Sequence, residues 1–206
     1  DYARQVLLYV PPHLPDPRQP DFTRRAADTI EHVLEASRGR AFVLFTSYQQ
    51  MRQVYELLKG RLDHPLLLQG EAPRTALVET FRATPGAVLF GTSSFWQGID
   101  VQGEQLSCVI IDRLPFAVPS DPVVAARTEA IRRDGGNAFY DYQVPQAALA
   151  LKQGFGRLIR GTSDRGVLVL LDNRITKLPY GRVFFESLPP YRLTAKLEDI
   201  QSFFDV

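Results

Sequence analysis

AVLFGTSSFWQGIDVQGEQLSCVIID (residues 87–112) carries two apolar runs, AVLF and LSCVIID, separated by a polar segment rich in glycine. Neither run alternates apolar with polar residues, as a strand with one wet face would. Each is apolar nearly throughout, the mark of a strand covered on both faces in a parallel sheet. The pattern recurs outward in both directions. VLLYV (6–10), AFVLF (41–45) and PLLLQ (65–69) lie upstream, and GVLVLLD (166–172) lies downstream.

Between these runs the apolar period lengthens to that of a helix. Asp21 caps a helix to about Ser37, with Ala26, Ile30, Val33 and Leu34 on one face and Gly39 as its stop. Ser47 caps a second helix that ends near Gly60, and Pro73 opens a third through Phe81. Asp121 and Pro122 form a cap and first-turn pair for a helix to about Arg133. DGGNAFYDYQ (134–143) reads as irregular. Pro145 opens a helix that carries QGFGRLIR, and two short helices close the chain near Tyr180 and Leu197. PPHLPDPRQP (11–20) is too rich in proline for a helix or sheet interior. The expected architecture is one α/β domain over residues 1–206. A parallel sheet has helices on both faces, with a helical excursion between Leu114 and Pro145.

Bulk properties narrow the classes. The chain has 206 residues, 45% of them hydrophobic and 23% charged, with a net charge of +1. That length suits one well-cored domain. No apolar run approaches the roughly 20 residues of a membrane helix. DYARQVLLYV has neither a basic start nor a small-residue cleavage site, so no secretory signal is expected and the setting reads as cytoplasmic. Cys108 is the single cysteine, which excludes an internal disulfide and a cysteine-only metal cluster within the chain. His13, His32 and His64 make no metal or triad spacing. No metal site is expected. Near-neutral charge gives no whole-domain argument for nucleic acid, but residues 152–182 carry a net +5. Such a stretch can attract phosphate or simply be a solvated face. Arginine outnumbers lysine 20 to 4, which fits phosphate forks or a GC-rich genome.

Three segments carry candidate chemistry. In QGFGRLIR (153–160), helical spacing sets Gln153, Arg157 and Arg160 on one face, where two guanidinium forks match phosphoryl oxygens. Gly154 and Gly156 cost about 1 kcal/mol each in a helix, which points to a close backbone approach. The bland alternative is a surface helix whose arginines pair with acids. In GTSSFWQGID (91–100), Thr92, Ser93 and Ser94 offer donors to a phosphate backbone. Phe95 and Trp96 offer a stacking face for a base, or are merely core. Gly98 and Asp100 make a turn that aims a carboxylate. In LFTSYQQM, Ser47 and Tyr48 open a helix at a strand end, where an anion can dock or where Ser47 is a plain cap. No lysine precedes Ser or Thr, so there is no phosphate loop of the G-x-x-x-x-G-K-[ST] type, and no Asp-Glu pair follows a strand.

These segments, in this order, resemble the second RecA-like domain of superfamily-two helicases. LFTSY is similar to motif IV, GTSSFWQGID to motif V, and QGFGRLIR to the arginine-finger helix of motif VI. FWQGIDVQGEQLSCVIIDRLPFAVPSDP, DYQVPQAALALKQGFGRLIR and DRGVLVLLDNR resemble the DinG group, relatives of XPD. The resemblance runs from about Val6 to Pro190. It departs at Gln97, where many relatives have an acid.

The resemblance implies an ATP-driven helicase that moves on single-stranded DNA, 5′ to 3′. Arg157 and Arg160 act as catalytic fingers, and Gln153, Gly98 and Asp100 serve the nucleotide. Ser47, Tyr48, Thr92, Ser93, Ser94, Phe95 and Trp96 serve DNA. ATP and Mg²⁺ are then bound mainly by a first motor domain that this chain does not contain, which makes that domain and single-stranded DNA the partners and leaves the chain inactive alone. Two rivals stand beside it. One is a self-sufficient nucleotide enzyme with Asp112 as Mg²⁺ ligand. The other is a nucleic-acid or protein interaction module without motor activity.

Overall fold

The computed structural model describes residues 2–92, 95, 101, 105–118, 120–159 and 164–205. Seven strands form one sheet: β1 (Val6–Tyr9), β2 (Ala41–Phe45), β3 (Leu66–Leu68), β4 (Val88–Thr92), β5 (Cys108–Ile111), β6 (Gly166–Leu170) and β7 (Arg192–Thr194). Their order across the sheet is β3-β4-β2-β5-β6-β1-β7, and every neighbouring pair is parallel. The described helices are α1 (Tyr2–Gln5), α2 (Phe22–Ser37), α3 (Tyr48–Leu58), α4 (Arg74–Ala83), α5 (Pro122–Arg133), α6 (Val144–Leu158), α7 (Arg174–Lys177), α8 (Gly181–Ser187) and α9 (Glu198–Phe204). Parallel strands need long crossovers, and the helices supply them.

Side chains alternate across the sheet and build two cores. Phe42, Leu44, Val109, Ile111, Leu168 and Leu170 face α4, α6 and α8, which contribute Phe81, Leu151, Phe155 and Phe184. Ala41, Val43, Phe45, Ile110, Val167 and Val169 face α2, α3 and α9, which contribute Phe22, Ile30, Met51 and Phe203. This two-sided burial explains the apolar runs: both faces of β1, β2, β4, β5 and β6 are dry. No helix among the described residues is long and apolar enough to cross a membrane.

The six strands read from sequence are present with ends shifted by at most two residues, and so is the α2 stripe of Ala26, Ile30, Val33 and Leu34, all buried. At the start of α2, Asp21 makes no side-chain cap bond, whereas at α5 the Asp121 carboxylate accepts from the Val123 and Val124 N–H groups. α2 stops where Arg38, Gly39 and Arg40 all take positive φ. Gly39 is required there on two counts, since a Cβ would also collide with the Gly86 carbonyl. Three features escaped the sequence reading, the short helix α1 among them. Residues 139–143, read as irregular, form a π-helical turn (Phe139–Gln143) that runs straight into α6. β7, three residues long at the sheet edge, was not expected at all.

Phe155 lies on α6, fully buried against the sheet. Phe155→Ala should lower the unfolding free energy of the chain by about 3–5 kcal/mol. In urea titration the midpoint falls while the denaturant slope is unchanged.

Candidate nucleic-acid interface and nucleotide face

All strands point the same way, so their carboxyl ends share one edge of the sheet. The connection leaving β2 runs through α3 on one face, and that leaving β5 runs through α6 on the other. The crevice between such diverging connections is where open α/β sheets bind ligands. At this edge the register pairs Phe45 with Thr92 and Leu68 with Phe90. It gathers Ser47, Tyr48, Gln69, Gly70 and Thr92.

Each has a definable job. Ser47 is extended at the cap of α3 and accepts the Gln50 N–H at 3.4 Å. Tyr48 is 44% exposed. Its hydroxyl would stand 3.3 Å from a Cβ at Gly70, whose φ of +100° also favours glycine. Gln69 was not anticipated. Its backbone N–H donates to the Phe90 carbonyl, and its side-chain Oε1 accepts both the Thr92 N–H (2.6 Å) and the Thr92 hydroxyl (3.0 Å). Thr92 is therefore buried, with its hydroxyl proton committed to Gln69. Its hydroxyl is therefore not the free donor that the sequence reading gave it.

Phe95 is corrected more firmly. Its ring is 6% exposed, sits against Gly91 within the core and lies under the Arg74 guanidinium. A ring so enclosed has no face to offer a base. Ser93, Ser94, Trp96, Gly98 and Asp100 lie outside the described residues.

The motif-VI-like helix is α6. Val144, Ala147, Ala148, Leu151, Phe155 and Leu158 form its buried face, and Gln153 is exposed on the other. Helical backbone extends through Arg157 but ends at Leu158, and Ile159 is extended with φ −127° and ψ 119°. The three-residue helical step expected between Arg157 and Arg160 is thus broken. Arg160 itself and the side chain of Arg157 lie outside the described residues. A Cβ on Gly156 would meet no described atom within 4 Å, so the close approach expected there is absent among the described residues. Leu158 packs onto Gly166, the first residue of β6, where a Cβ would collide with it. The carboxyl half of α6 therefore lies toward the amino ends of the strands. A five-residue strand separates it from the opposite edge by roughly 15 Å.

Among the described residues of the basic stretch 152–182, three arginines have partners of their own. Arg174 makes two hydrogen bonds to the Asp172 carboxylate, at 2.8 and 2.6 Å. Arg182 pairs with Glu186, and the Arg165 guanidinium lies 4.5 Å from the centroid of Phe203.

Asp112 and Asp172 end the adjacent strands β5 and β6. Asp112 is wholly buried and accepts the Thr46 N–H at 3.2 Å. Burial pushes its carboxyl up to about 7, against the nearby Arg113 and the N–H groups of Thr46 and Arg113. Asp172 accepts the Leu114 N–H at 3.0 Å. A carboxyl enclosed in this way cannot present itself to phosphate-bound Mg²⁺. No group of three or more histidine, cysteine or carboxylate side chains among the described residues is arranged to hold a metal. The self-sufficient enzyme built on Asp112 loses its support.

Residues 30–191 match the model of the helicase C-terminal domain. The ATP-dependent DNA helicase YoaA of Escherichia coli is 48% identical over 92% of the chain, which spans 30% of that protein. The ATP-dependent helicase DinG of Mycobacterium tuberculosis is 41% identical over 98% of the chain, again spanning 30%. A solved XPD helicase superposes with a TM-score of 0.70 at 18% identity, covering 92% of this chain and 36% of that one, a likeness of fold.

Because the Ser47 hydroxyl caps α3, Ser47→Ala should cost the chain about 1 kcal/mol of stability in denaturant titration, whatever it does to ligands. A neutral result would mean that the cap bond contributes nothing to α3.

Proposed function

The chain belongs to the helicase C-terminal domain family, in its DinG/XPD-like branch, and we propose on that premise that it is the second motor domain of an ATP-dependent DNA helicase. Residues 1–206 form one such domain, and a first motor domain belongs to the same parent protein. The parent acts in the cytoplasm on single-stranded DNA and moves 5′ to 3′. One observation carries the reading: the carboxyl end of α6, at Leu158, packs on the first residue of β6, whereas the Ser47–Tyr48–Gln69–Thr92 group lies at the carboxyl ends of the strands. A single small ligand cannot bridge that span, whereas a motor needs two separate grips, one for nucleotide and one for DNA.

In this mechanism Ser47 and Tyr48 donate to DNA phosphates from the carboxyl edge, Ser93 and Ser94 serve phosphate as well, and Trp96 serves a base. Gln69 fixes Thr92 and so sets the height of the loop that follows β4. From the α6 side, Gln153 and Arg157, with Arg160 after the helix end, reach the nucleotide held by the first motor domain. Gly98 and Asp100 link the two grips. Mg²⁺, bound mainly by the first domain, neutralises phosphate charge there. Arginines in this role stabilise charge that develops on the transferred phosphoryl group. Closure and opening of the two domains then move one phosphate grip past the other.

In the full-length helicase, Arg157→Ala and Arg160→Ala should each reduce DNA-stimulated ATP hydrolysis by roughly 10³-fold or more while oligo-dT binding stays within about twofold. Hydrolysis at the wild-type rate would remove the fingers from the mechanism. The 206-residue chain alone should hydrolyse no ATP above background. Turnover by it would contradict a site split between two domains.

A further inference from the structure

Asp112 stands in the crevice between β2 and β5 and has no part in the mechanism so far. One oxygen, Oδ1, accepts the Thr46 N–H at 3.2 Å. The other, Oδ2, is buried without a hydrogen-bond partner. Arg113 Nε lies 3.8 Å from Oδ2 and is likewise buried without one. On the far side of Asp112 the chain is held again, since Asp172 on β6 accepts the Leu114 N–H and is itself clamped by Arg174. The end of β5 is thus tied to β2 by one carboxylate and to β6 by another.

A buried carboxyl with an unused oxygen is costly, and an apolar side chain of similar size would relieve that cost. It would also orphan the Thr46 N–H. Thr46 immediately precedes Ser47 and Tyr48, the residues that meet DNA in the function proposed above. We propose that Asp112 is a positioning residue for the turn at residues 46–48, holding it against the β5 end so that Ser47 and Tyr48 meet a DNA phosphate in a fixed geometry. The inference rests on the assignment of that turn to DNA.

The state of the carboxyl gives this role a signature. Arg113 on the same strand end and Asp172 on β6 are the charged groups facing it, with the Thr46 N–H from β2. The guanidinium of Arg113 also lies 5.3 Å from the ring centroid of Phe22 on α2. Burial holds the carboxyl up to about 7, so it ionises in the neutral range. The ionised form accepts the Thr46 N–H more strongly than the neutral acid does. The grip on DNA therefore tightens as pH rises through about 7. Fold stability moves the opposite way. A carboxyl whose folded pKa is raised favours the fold below its unfolded value, and that contribution is lost as pH rises through the folded one. A residue that served stability alone would not give opposite slopes.

The experiment measures oligo-dT affinity and thermal unfolding of the full-length helicase at pH 6, 7 and 8, for wild type, D112N, D112A and Y48A. Wild-type affinity should rise on the order of fivefold from pH 6 to 8 beyond any change seen in D112N. D112N keeps a neutral acceptor at every pH, so it should bind throughout as wild type does at pH 6. Its melting temperature should gain on wild type as pH rises. D112A, where it folds, should bind more weakly than D112N. If Y48A weakens binding but D112N follows the wild-type affinity profile, Asp112 does not position the turn. If Y48A binds as wild type does, the DNA assignment of the turn fails, and this proposal with it.

Discussion

Within the central strands, polar side chains are pushed to the strand ends, because β1, β2, β4, β5 and β6 are parallel and dry on both faces. Alternate residues of β2 enter opposite cores, and none of its five side chains meets solvent. A buried strand of this kind can carry no donor or acceptor side chain along its length without a partner. Function must therefore gather where strands stop, and the common direction of all seven brings those stops to one edge. The diverging connections after β2 and β5 then open that edge into a crevice rather than a closed rim.

The crevice is held by few hydrogen bonds, and most of them join residues far apart in sequence. Gln69 on the β3 end fixes Thr92 on the β4 end, Asp112 on β5 fixes Thr46 after β2, and Asp172 on β6 fixes Leu114 after β5. Each bond satisfies a backbone N–H left over where a strand ladder ends. Together they tie the β3 end to the β4 end, and the ends of β2, β5 and β6 to one another. A loop carried on strand ends tied in this way keeps its donors aimed without a ligand present, which reduces the ordering cost of binding.

How much of this was legible follows from how local each signal is. Strand identity was readable because two-sided burial is written in consecutive residues, as in AFVLF and GVLVL. The caps at Ser47 and Asp121 were readable because an N-cap bond spans two or three residues. β7 was not: Arg192 and Leu193 are exposed, and the strand exists only because the edge of β1 accepts it. Gln69 was invisible for a related reason, since its partner Thr92 is 23 residues away. Phe95 misled because adjacent aromatics look alike whether they stack on a base or fill a core. Only the fold decides, and it put this ring in the core beside Gly91. The shared face of Arg157 and Arg160 assumed a helix that continued, whereas the helix ends at Leu158; both guanidinium groups lie outside the described residues. Family pattern carried more of the function than spacing did, because motifs IV and VI derive their meaning from a second domain.

The position of α6 imposes a further constraint on how such a domain works. Its carboxyl end, at Leu158, lies at the amino ends of the strands, while Ser47 and Tyr48 lie at the carboxyl ends. In the mechanism proposed above, grips set at opposite edges would share no ligand through which to signal. They can signal only by moving the intervening body, and that body is a close-packed sheet which shifts as a unit rather than bending. α6 packs directly on β5 and β6 through Leu151, Phe155 and Leu158. The carboxyl ends of those same strands carry Asp112 and Asp172, which reach across to Thr46 and Leu114. A force applied to α6 thus meets the sheet at one edge and leaves it at the other through a few hydrogen bonds. The rigidity required for that transfer is the property that two-sided apolar burial provides.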